Sequence, residues 1–172
     1  MSQQAPLTNR VAKSNLITID LAAFGPKEPI VPFDLKDFLV QKLVLMEKNF
    51  REAIAQHNWH QYKGKPVTVF CSVEAIIPFW AYMIVASNLS PHTSRIFYGN
   101  VESYTTYLYL ENMKTIDVQK YIGQRIVIKG CGQQPIPETA FVEITRLLRP
   151  VAKSIMYGEP CSTVPIYKQE NK

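Results

Sequence analysis

This 172-residue chain has few of the groups on which familiar chemistry is built. It holds 3 cysteines and no CxxC pair, and spacings of 60 and 30 residues between the thiols match no compact zinc signature. It has 7 glycines and no glycine-rich phosphate loop, for Gly130-Cys131-Gly132 is a GxG without a third glycine. Neither a GxSxG nucleophile elbow nor an HExxH zinc helix occurs. The longest apolar run, Ala75 to Ala86 (AIIPFWAYMIVA), is too short to span a bilayer and predicts a buried helix. The first 14 residues are polar and lack the apolar core of an export signal. An odd number of thiols without such a signal points to reduced cysteines and a cytoplasmic protein.

Charge is also thinly spread. The formal net charge is +5, yet the 19 lysines and arginines are scattered and interleave with no stacking aromatics, which argues against nucleic acid as a partner. What the chain does have is apolar residues, at 47%, and aromatics, at 11%, enough for a globular core. Its length predicts a single domain over 1–172, with a loose tail at 1–14 and an irregular end at 162–172.

The most informative feature appears when the chain is written above itself. With a shift of 59, residues 60–99 match residues 119–158 without a gap, and ten of the 40 positions are identical. They include Gly64/Gly123, Pro78/Pro137, Leu89/Leu148 and Gly99/Gly158. Ordinary residue usage would give roughly two or three. Each copy reads as strand, loop, helix, strand: 66–70, 78–89 and 95–98 in the first, 125–128, 137–148 and 154–157 in the second. Proline suits a first helical position because its missing N–H has no partner there. Pro91 and Pro150 cannot continue a helix and end each one. Strand starts about 30 residues apart with helices between them are the mark of βαβ units. The expectation is therefore an α/β fold with a largely parallel sheet, built on an internal duplication, with residues 101–113 as a linking helix. Leu16–Leu21 adds a further strand, and residues 25–32 are expected to be loop.

The second helix is amphipathic, whereas the first is apolar all round, as at a core centre or a subunit interface. A homodimer through the first helix is the expectation.

In a parallel sheet, Cys71 and Cys131 fall just past the carboxyl ends of strands and ahead of helix N-termini, and Cys161 follows a third strand. That edge is where open α/β proteins bind ligands. Three thiolates with a carboxylate from Glu74, Glu138 or Glu159 would suit zinc or an iron–sulfur species. Two other readings stay open: a reactive thiol without metal, and cysteines that are simply packed, as cysteines commonly are. His57 and His60 read as a solvated helix end, and His92 as surface.

The stretches VIKGC…PIPETAFVEITRLLRP…KSIMYGEPCSTVPIYK (127–168), NRVAKSNLITIDL near the start, and FCSVEAIIPFWAYM in the first copy carry a resemblance. By them the chain resembles an uncharacterised, Bacteroidetes-type family, domain of unknown function number 2480. The resemblance implies no activity. It implies only proximity to genes of SUF-type iron–sulfur assembly, and so iron–sulfur assembly proteins as candidate partners.

These observations favour a non-enzymatic module that binds a metal or iron–sulfur species through Cys71, Cys131 and Cys161, with Glu138 or Glu159 completing the site. An interaction or scaffold protein with structural cysteines is the alternative, and a thiol-dependent sulfur carrier the third.

Overall fold

The computed structural model describes residues 16–41, 43–130, 135–159 and 162–170. The expected α/β class holds, with the strands shared between two mainly parallel sheets. The chain divides into two compact units, one of residues 1–25 and 109–172, the other of residues 26–108.

The first unit holds a four-stranded sheet in which β1 (Leu16–Asp20), β5 (Arg125–Lys129) and β6 (Ser154–Glu159) run parallel. Ile126, Val127 and Ile128 of central strand β5 are all buried, so its β-branched side chains are covered on both faces as parallel strands require. Helix α4 (Glu138–Leu148) buries Ala140, Ile144 and Leu148, the i, i+4, i+8 stripe that amphipathicity predicts. Tyr109 and Met113, from the end of helix α3 (Val101–Met113), join the same core.

Residues 162–168, expected to be irregular, instead form β7 (Ser162–Lys168), antiparallel to β6 at the sheet edge. Its sequence hides the strand because Pro165 interrupts the pattern. The register slips there: Tyr167 pairs with Ile155 and Pro165 with Met156, so Ile166 is bulged out. An edge strand with a bulge is one of the few places in a sheet that tolerates proline. The guanidinium of Arg149, just past α4, lies 3.8 Å from the centre of the Tyr167 ring and holds β7 to the helix side.

The second unit is a three-stranded parallel sheet in the order β2 (Val31–Asp34), β3 (Val67–Phe70), β4 (Ile96–Tyr98). Helix α1 (Glu47–Gln56) buries Phe50 and Ile54, and α2 (Phe79–Leu89) buries Ala81, Val85 and Leu89. Helix α2 is thus not buried all round. Its opposite side, with Phe79 and Met83, faces outward. His57 is no solvated cap either. Its ring is half-buried among Phe33, Trp59 and Tyr62, with Nε2 3.0 Å from the Tyr62 hydroxyl, and burial lowers its pKa.

The bounds of α2 and α4, and of the 3-10 turns Trp59–Tyr62 and Val118–Tyr121, differ by 59 residues at both ends, whereas the strand bounds match only roughly. Gly64 and Gly123 share a left-handed φ of 71° and 68°, and their N–H groups donate to His92 and Val151, themselves 59 apart. Strands β1 and β2 each end in an aspartate whose side chain accepts the N–H two residues on and opens a 3-10 turn.

Candidate functional site

In the second unit the carboxyl ends of β2 and β3 are clasped by one side chain. Asp34 Oδ1 accepts the N–H of Lys36 and the N–H of Ser72, both at 3.0 Å, and Lys36 Nζ lies 3.2 Å from Oδ2. Burial pushes the Asp34 carboxyl up, but the hydrogen bonds from Ser72 and Lys36 outweigh it and leave the group below its ordinary value.

Cys71 stands where the sequence places it, directly after β3. Its thiol is half-buried and donates to the Val73 carbonyl at 3.4 Å. It lies near Tyr82 on α2, which meets Tyr98 of β4 edge to face at 5.2 Å. Burial raises the Tyr82 pKa, and the neighbouring Tyr98 and Cys71 raise it further. The sequence reading missed this tyrosine pair, although its counterpart at the 59-residue offset, Phe141 and Tyr157, also meets edge to face at 5.8 Å.

Cys131 and Cys161 lie outside the described residues. Glu159 forms an ion pair with Lys129 at 3.0 Å, and Glu74 and Glu138 are exposed. Among the described residues no group of three histidine, cysteine, aspartate or glutamate side chains could hold a metal ion. Also among them, no helix is long and apolar enough to cross a membrane.

Within the first unit, Ile128, Phe141, Thr145, Tyr157 and Ile166 line an apolar pocket of about 310 Å³. The bulge in β7 supplies Ile166. Gly130 keeps the β5 end open beside this pocket, because a Cβ there would stand 2.5 Å from the Phe141 ring. The position 59 residues earlier in the sequence is Cys71.

The largest exposed apolar side chains gather in the second unit. Ile76, Phe79 and Met83 are 90%, 86% and 70% exposed, and Leu43, Val44 and Met46 are at least half exposed. A β-bridge joins Val44 to Ile76, Phe79 follows three residues on, and Met83 is one helical turn further. Sequence alone marks the run Ala75–Ala86 as apolar but not as outward-facing, since both faces of α2 carry large hydrophobes.

No curated protein and no solved structure matches the chain. One protein family does, over residues 5–169, and it is described as a protein of unknown function, DUF2480. With nearly its whole length inside that match, the chain belongs to the DUF2480 family.

Proposed function

We propose that this chain is a non-enzymatic interaction module that docks a protein partner on the apolar surface of its second unit. The observation that carries this reading is the joined exposure of Ile76, Phe79 and Met83. Contiguous apolar surface of this kind marks interaction sites, because leaving it in water costs about 25 cal/mol per Å². The shared element bounds support treating the two units as copies of one βαβ plan; Val142, the counterpart of Met83, is also exposed, but the most exposed apolar side chains, Ile76 and Phe79, lie in the second unit. The counterparts of Phe79 and Cys71 are Glu138 and Gly130.

A photo-crosslinking side chain in place of Met83 tests the reading in cells. A discrete protein adduct that Ile76→Asp abolishes, and that the same probe at Thr139 does not form, supports it. No adduct at position 83 overturns it.

A second reading keeps the thiols as ligands of zinc or an iron–sulfur species in a cytoplasmic protein accessory to cluster assembly. Its support is the half-buried Cys71 thiol at the carboxyl end of a parallel strand. Near-stoichiometric zinc or iron in anaerobically purified protein, lost when Cys71, Cys131 and Cys161 are all replaced by serine, would establish it. Metal-free protein without visible absorption would overturn it.

A further inference from the structure

We infer that the partner on this surface is a second copy of the chain, bound through α2 packed antiparallel on its own mate about a two-fold axis at Met83. This rests on the interaction reading and names its occupant.

Three observations lead there. The first is the pattern of side chains on the outward face of α2. Phe79, Met83, Ser87 and Ser90 are the exposed positions, opposite the buried Ala81, Val85 and Leu89. In an antiparallel pair centred on Met83, residues four before and four after the centre lie opposite one another. Phe79 of one copy then meets Ser87 of the other, twice. A large side chain faces a small one at both flanks, and flexible methionines fill the middle. Two-fold association demands this kind of match between a surface and itself.

The second observation is charge. No lysine, arginine, aspartate or glutamate occurs between Ala75 and Ser94, so the helix can meet its copy without placing like charges together. Its counterpart α4 shows the contrast. Glu138 stands where α2 has Phe79, and Arg146 lies on its surface paired to Glu143.

The third is area. The exposed parts of Leu43, Val44, Met46, Ile76, Phe79 and Met83 amount to on the order of 700 Å², against roughly 800 Å² per partner in a standard interface. Covered in full, these side chains would supply most of the area of a standard interface.

Light scattering and engineered disulfides on the full chain test this. The wild type is expected at twice 19.7 kDa at tens of micromolar, and Met83→Glu at 19.7 kDa with an unchanged circular dichroism spectrum. Under mild oxidation Met83→Cys should form a covalent dimer well above the wild-type background from the native cysteines. Ser90→Cys should not, because two helices paired at Met83 hold their Ser90 positions about 20 Å apart. A monomeric wild type, or a dimer that Met83→Glu leaves intact, overturns the proposal. Equal crosslinking at positions 83 and 90 overturns the antiparallel register. If the wild type is monomeric while the Met83 photo-adduct has the mass of a different protein, self-association fails and the interaction reading stands. If neither dimer nor adduct forms, both fail.

Discussion

The hydroxyl of Thr68 is fully buried in β3 and, among the described residues, has no hydrogen-bond partner. Its neighbour in burial, Thr93, donates to the Lys65 carbonyl at 2.7 Å and so loses nothing. A stranded hydroxyl costs folding free energy, and valine has nearly the same shape without it. Thr68→Val is therefore expected to stabilise the protein by about 1 kcal/mol, read as a higher denaturant midpoint. The glycines give the opposite sign. Gly158 has φ of 120°, and a Cβ there would stand 2.6 Å from the Ser162 carbonyl oxygen. Gly64 has φ of 71° but open space around it. Gly158→Ala should cost roughly 2–3 kcal/mol and Gly64→Ala about 1 kcal/mol, in thermal or chemical unfolding. Equal costs would mean that backbone conformation alone matters at position 158.

At the scale of elements, Asp34 joins the ends of β2 and β3 by reaching Ser72, 38 residues on in the sequence. Its pKa is lower in the folded chain than the ordinary aspartate value. The stability it contributes is thus present above that ordinary value, near 4, and is lost as pH falls through the lower folded one. Asp34→Ala should be less stable than wild type at pH 7, and the difference should shrink as both are titrated below pH about 4. A gap that stays constant down to pH about 2 would show that the contribution is not that of the carboxylate.

The elements also show what the sequence could and could not convey. Helices, parallel strands and the linking helix were legible because proline, β-branched runs and the 3.6-residue stripe of α4 each encode a local preference. Strand β7 was not legible, because Pro165 looks like a break unless its edge position and bulge are known. The division of strands between two sheets was not legible either, since strand spacing reports crossovers rather than which strands share hydrogen bonds. Of the candidate site, the place of Cys71 could be read from chain order. The outward turn of Phe79 and Met83 could not, because a helix apolar on both faces does not declare which one the core takes.

For the whole molecule, each unit has its own sheet and its own buried cluster. Leu89 and Leu148, both fully buried, are counterparts in the two clusters. Truncating either to alanine should cost about 2–5 kcal/mol. Native-state hydrogen exchange should then place the faster exchange of Leu89→Ala in β2, β3 and β4, and that of Leu148→Ala in β1, β5 and β6. Uniform acceleration in both variants would mean that the two clusters open only together.

The bulge at Pro165 also bears on how the protein survives in a crowded cell. Strand β7 ends its sheet, and a bare strand flank invites an incoming chain to extend it into fibrils. Pro165 supplies no N–H, and the slipped register beside it breaks the regular ladder an added strand would copy. The same irregularity that hides β7 from a reader of the sequence also makes it a poor template for amyloid growth.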